Sequence, residues 1–124
     1  LTGGEGNDLF QVNIASTNVN SYSTIKDFAA GDLIQFAGAT VFKSAKVDLG
    51  ATAVFQDKAN AAINSLAANE MGWFQDGTDT YVVMDVGANE ATFNNGQDLI
   101  VKITGLVDLS NASFNAAQGT IGLV

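Results

Sequence analysis

Apolar residues recur along this chain with two different periods. Between residues 51 and 69 they fall at intervals of three and four (Ala53, Val54, Ala61, Ala62, Ile63, Leu66 and Ala67), with Gln56, Asp57, Lys58, Asn60, Asn64 and Ser65 between them. That spacing gives a helix one narrow apolar stripe, so it predicts a helix near 52–69 packed on a sheet. Thr52 is placed to cap its start, and Gly72 lies just past its end. Further on, Trp73-Phe74-Gln75 and Thr80-Tyr81-Val82-Val83-Met84 flank Asp76-Gly77-Thr78-Asp79, which predicts a β-hairpin. The mostly apolar run Leu99-Ile100-Val101-Lys102-Ile103 predicts a central strand, and residues 105–110 are expected to close the ordered part. Glycine, then aspartate, then apolar residues recurs in Gly6-Asn7-Asp8-Leu9-Phe10, Gly31-Asp32-Leu33-Ile34, Gly77-Thr78-Asp79-Thr80-Tyr81 and Gly96-Gln97-Asp98-Leu99-Ile100. The last three each have a phenylalanine three positions before the glycine (Phe28, Phe74, Phe93). Such turns either bind cations or simply join strands tightly. The pattern as a whole predicts a β-rich module with one covering helix.

Composition narrows the chemistry. The chain has 124 residues, the size of one domain, with 13 acidic side chains against five lysines, a net charge of −8, and no arginine, histidine, cysteine or proline. Thiol and imidazole nucleophiles, thiolate or imidazole metal sites and disulfides are therefore excluded. The negative charge argues against binding nucleic acid or anionic membranes, and no apolar run approaches the ~20 residues of a membrane span. Oxygen ligands remain: ten aspartates, three glutamates and twelve asparagines among thirteen glycines, a set suited to hard cations such as Ca2+. Carboxylate pairs such as Asp76 with Asp79, or Asp85 with Glu90, are formally available for glycoside hydrolysis. Nothing in their setting marks them as catalytic, and a non-enzymatic role is expected.

Gly3-Gly4-Glu5-Gly6-Asn7-Asp8-Leu9-Phe10-Gln11 fits the nonapeptide G-G-x-G-x-D-x-U-x, with Phe10 at the apolar position. Glycines permit a tight turn whose carbonyls face an ion, Asp8 supplies a carboxylate, and the last three residues form a short strand. A glycine turn before an ordinary strand is the plainer alternative. The nonapeptide resembles the repeats of the RTX (repeats-in-toxin) family. Tyr22-Ser23-Thr24-Ile25-Lys26-Asp27-Phe28, followed by Gly31-Asp32-Leu33-Ile34-Gln35-Phe36, resembles the segment that closes the β-roll in serralysin-type and other type I secreted proteins. The stretches Trp73 to Val83 and Lys102-Ile103-Thr104-Gly105-Leu106-Val107-Asp108-Leu109-Ser110 are similar to the closing domain of RTX-type surface proteins, S-layer-like ones included.

The resemblance implies a mainly β (α+β) fold: the end of a calcium-binding parallel β-roll over 1–36, continued over 37–124 by a β-rich C-terminal module. Two nonapeptides, roughly 18 residues, make one turn of such a roll. Asp27, 19 positions after Asp8, is accordingly expected to stack on the loop holding Asp8, though a turn-capping role is open to it. The implied Ca2+ ligands are carbonyls of Gly3, Glu5 and Gly6 with the carboxylates of Asp8 and Asp27, and Asp32 as a further candidate. One repeat supplies half a site, to be completed by Asp27's turn or by residues before Leu1, where the chain reads as cut from a longer protein. The implied function is a non-catalytic module of a bacterial protein, secreted or on the cell surface. Ca2+ drives its folding outside the cell, and an uncleaved C-terminal tail ending Ile121-Gly122-Leu123-Val124 is presented to a type I secretion apparatus. The alternative is a calcium-dependent surface-assembly or adhesion module that self-associates.

Overall fold

The computed structural model describes residues 1–12, 18–50, 54–87 and 91–123. The most apolar runs of the sequence form its middle layer. β5 (Glu70–Asp76), β6 (Asp79–Met84) and β7 (Leu99–Ile103) form an antiparallel ladder in which Trp73 faces Val82 and Val82 faces Val101. β2 (Ser23–Ile25) joins β7 in parallel and β4 (Val41–Phe42) joins β5 in parallel, giving a mixed five-stranded sheet of order β2-β7-β6-β5-β4. Four consecutive residues of β5 and five of β6 are buried, as expected of strands covered on both faces.

A second mixed sheet, of order β1-β3-β9-β8, covers one face: β1 (Leu9–Val12), β3 (Leu33–Phe36), β9 (Thr120–Gly122) and β8 (Ser113–Asn115). Phe10, Val12, Ile34, Phe36 and Ile121 from this sheet interlock with Met71, Trp73, Val82, Met84, Val101 and Ile103 from the other. Each of the fully buried large side chains in such a layer contributes about 2–3 kcal/mol of transfer free energy. The opposite face takes the helix α1 (Phe55–Asn64), whose Ala59, Ala62 and Ile63 pack with Leu66 on Phe74, Tyr81, Val83 and Ile100. The molecule is thus α+β, with two mixed sheets and a helix in three layers.

Four expectations change. Among the described residues there is no parallel β-roll: parallel pairing in the first sheet is confined to β1 with β3, and β3 turns its other edge to the antiparallel β9. The helix is shorter than 52–69, because the apolar stripe past Asn64 leaves the helix at Ser65 and Leu66 reaches the sheet from a turn. Thr52 lies outside the described residues. Gly72 belongs to β5 instead of ending the helix; it lies directly beneath Leu66, whose Cδ2 would stand 2.7 Å from any added Cβ. Order also continues past Ser110. The tail forms the β8–β9 hairpin, with Ile121 wholly buried. Through β9 the first sheet joins residues of the 1–36 segment to those of 37–124.

Candidate functional site

The register of β1 on β3 sets the geometry of every candidate ligand. Leu9 pairs with Leu33 and Val12 with Phe36, an offset of 24 residues, because both strands alternate outward and buried positions in the same phase. The pairing extends into the preceding segments. Leu33 N–H donates to Asp8 O at 2.8 Å, Lys26 N–H donates to Leu1 O at 2.9 Å, and the Leu1 amino group donates to Thr24 O. The strand–turn–strand unit 1–12 therefore lies beside the unit 24–36. Asp32, not Asp27, is the residue opposite Asp8, and Asp27 lies opposite the start of the glycine turn.

Both of those carboxylates are occupied by backbone donors. Asp27 Oδ1 accepts from Gly3 N–H at 3.0 Å and its Oδ2 from Gly4 N–H at 2.8 Å. These two bonds, that from Gly3 foremost, hold its carboxyl below the ordinary value of 3.8. Asp32 is buried; its Oδ1 accepts from Asp8 N–H at 3.0 Å and its Oδ2 from Ala29 N–H at 2.9 Å. Each aspartate ties its own turn to the neighbouring unit by charge-assisted hydrogen bonds.

Asp8 differs. Its Oδ2 is buried without a hydrogen-bond partner, and the carboxylate lies so close to Gly3 that a Cβ there would come within 2.3 Å of Oδ2. Gly4 and Gly6 hold φ values of +96° and +107°, which L side chains rarely adopt, so the turn over Asp8 requires glycine. Leu1, Thr2, Gly3, Asp8, Leu9, Phe10 and Gln11 line an open cleft of about 340 Å³. Glu5 is exposed on the turn. Of the expected Ca2+ ligands, the structure brings Gly3, Asp8, Asp27 and Asp32 together, with Gly4 beside them. Only Asp8 keeps a carboxylate oxygen free of N–H donors, and no group of three or more acidic side chains suited to a metal occurs among the described residues. Asp8 with turn carbonyls fits part of a Ca2+ shell of six to eight oxygens, whereas each oxygen of Asp27 and Asp32 already accepts one backbone N–H.

The other glycine–aspartate turns use their carboxylates as Asp32 does. Asp98 Oδ2 accepts from Asn94 N–H at 2.8 Å and Oδ1 from Val86 N–H at 2.9 Å. The donors Ala29 and Asn94 each follow the phenylalanine of their motif, so in two of the three Phe, Gly and Asp motifs the pattern is a fastening device visible in the sequence. Asp79 accepts from Gly105 N–H at 3.0 Å and pairs with Lys102 at 3.2 Å, and the first of these leads in lowering its carboxyl from the usual range. In the tail, Ile121 and Gly122 lie in β9. Leu123 O accepts from Gly31 N–H and Leu123 N–H donates to Asp32 O, so the tail is tied to the Asp32 turn. Val124 lies outside the described residues.

No model of a known protein family matches the chain, and no curated protein matches it. No helix among the described residues is long and apolar enough to cross a membrane.

Proposed function

We propose that this chain is a non-catalytic folding module of the RTX type, which binds Ca2+ at the Gly3–Asp8 turn and folds when it reaches calcium-rich surroundings outside a bacterial cell. The observation that carries the reading is the buried, unpartnered Oδ2 of Asp8 beneath a glycine turn, beside an open cleft. A buried carboxylate oxygen without a donor is costly, and a cation relieves that cost. Bound Ca2+ supplies positive charge to an acidic chain and ties the turn to its strand, so binding adds to folding free energy. Asp27 and Asp32 act beside the ion by fixing the turn through Gly3, Gly4 and Asp8 N–H. The ordering of the tail bears on export. With Ile121 buried and Leu123 fastened to the Asp32 turn, a type I apparatus that reads residues 121–124 meets them only in the unfolded chain.

The test is thermal unfolding and calorimetric titration of the whole chain with CaCl2, alongside Asp8→Asn. At matched ionic strength, calcium should raise the unfolding midpoint of the parent chain and leave that of Asp8→Asn in place. An unchanged midpoint and no binding heat in the parent chain at millimolar Ca2+ reject the metal reading. Separately, a reporter fused ahead of residues 70–124 should leave a type I secreting cell; its retention in the cytosol rejects the export role.

A further inference from the structure

The outer edge of β1 is an unguarded sheet edge. Among the described residues nothing pairs with it, and β1 carries four uncharged residues, Leu-Phe-Gln-Val, without proline or lysine. Sheet edges in stable monomers are usually blunted by such residues, by bulges or by cover. The three other edge strands, β8, β2 and β4, are shorter, at three, three and two residues. The phase of the ladder tells which groups face outward. Leu33 N–H donates to Asp8 O, so in a parallel ladder Phe10 directs its N–H and C=O to β3, while Leu9 and Gln11 direct theirs away from the sheet. Beside these groups Leu9 is 51% exposed and Leu1 54% exposed, two of the few large apolar side chains so placed.

We propose that β1 pairs with β1 of a second copy of this chain, antiparallel, about a two-fold axis at Phe10. In that register Leu9 and Gln11 of the second copy exchange N–H···O=C bonds, and the symmetric pair does the same. The two Phe10 residues stand opposite each other at the non-hydrogen-bonded position between them. An edge that offers the same groups in both directions is self-complementary, as a two-fold interface requires. Charge favours the same occupant. In a chain of net charge −8 an uncharged seam is where two like copies meet with least repulsion, and each Asp8 falls opposite Val12 of the second copy instead of opposite the other Asp8. Leu9, on the solvent face of the sheet, is covered by Gln11 of the second copy. The opposite edge of this sheet, β8, is only three residues long, so it offers β1 of another copy a shorter partner in a head-to-tail stack than β1 offers itself. The product is a closed dimer with one continuous eight-stranded sheet. Its small seam makes it concentration-dependent.

The pairing uses backbone groups of Leu9 and Gln11 and needs no Ca2+ at the seam. The test is therefore run in EDTA and again in millimolar CaCl2, and is read where circular dichroism shows the chain folded. Sedimentation equilibrium of the whole chain should show the mass rising from 12.8 kDa toward twice that with concentration. Leu9→Lys, which places a charge at the seam, and Gln11→Pro, which removes an outward N–H and costs the β1–β3 pair only the exposed Gln11–Gln35 side-chain bond, should both stay at monomer mass with unchanged circular dichroism. Leu106→Lys, at a 61% exposed apolar position elsewhere, should dimerise like the parent. A parent chain that is monomeric up to millimolar concentration overturns the proposal. So does a dimer that persists in both edge variants.

Discussion

Asp32 and Asp98 are buried, and each accepts backbone N–H groups from two different segments. Removing such an acceptor leaves two N–H groups without a partner in a place water reaches poorly. Asp32→Ala is therefore expected to cost about 3 kcal/mol, with Asp98→Ala similar, read from urea unfolding midpoints; Asp32→Asn, which keeps one acceptor oxygen, should cost less. Asp27, Asp79 and Asp108 have their carboxyls lowered, chiefly by Gly3 N–H, by Gly105 N–H and by Ser110 respectively. A carboxyl lowered in the folded state adds stability that is complete above its unfolded value of 3.8 and is lost as pH falls through the folded value. The unfolding midpoint should thus drop as pH is taken from roughly 5 to roughly 2, and Asp27→Asn should flatten that slope. The sequence made the glycine–aspartate turns legible, because their residue types are those of tight turns. It did not reveal the N–H partner of each carboxylate, since Asp27 meets Gly3 across 24 positions and the partner depends on strand register. A signal for that register was present: Asp8-Leu9-Phe10-Gln11 aligns with Asp32-Leu33-Ile34-Gln35, and Gln11 Nε2 donates to Gln35 Oε1 at 2.9 Å.

At the scale of elements, legibility followed how much of the burial pattern each segment carries for itself. The β5–β6 hairpin and β7 were readable because long apolar runs flank a glycine turn, and local sequence and tertiary burial agree there. β8 and β9 were not, since three-residue strands of Ser-Phe-Asn and Thr-Ile-Gly carry one large apolar side chain apiece and depend on β3 for their order. The helix was legible as an element but not in its limits, for its start is weakly specified. Val54 stands at the N-cap with φ −106° and ψ 154°, is exposed, and makes no side-chain cap hydrogen bond. A serine there has the right backbone and an oxygen for the first free N–H groups of the helix. Val54→Ser is accordingly expected to stabilise the fold by about 1 kcal/mol, seen as a higher urea midpoint with an unchanged slope. An unchanged or lower midpoint would show that helix entry is fixed by something other than its cap.

For the whole molecule, charge and topology pull in opposite directions. The first sheet brings residues near both chain ends together, β1 and β3 with β8 and β9, so folding must close long loops before that layer exists. The same closure concentrates an acidic chain of net charge −8, and the described residues include just two salt bridges to offset it, Lys58 with Asp76 and Lys102 with Asp79. Self-repulsion of this kind acts over distances that salt screens, whereas buried backbone-to-carboxylate bonds are screened little. Sodium chloride raised from low concentration to about 0.5 M should therefore increase the thermal midpoint by a few degrees, in the parent chain and in Asp8→Asn alike. Any further increase with CaCl2 at matched ionic strength measures a specific ion at the Gly3–Asp8 turn, because screening is already complete. A midpoint that stays flat or falls in sodium chloride would mean that the acidic surface is spread too thinly to strain the folded state. The acidity would then matter to the unfolded chain alone, by keeping it extended.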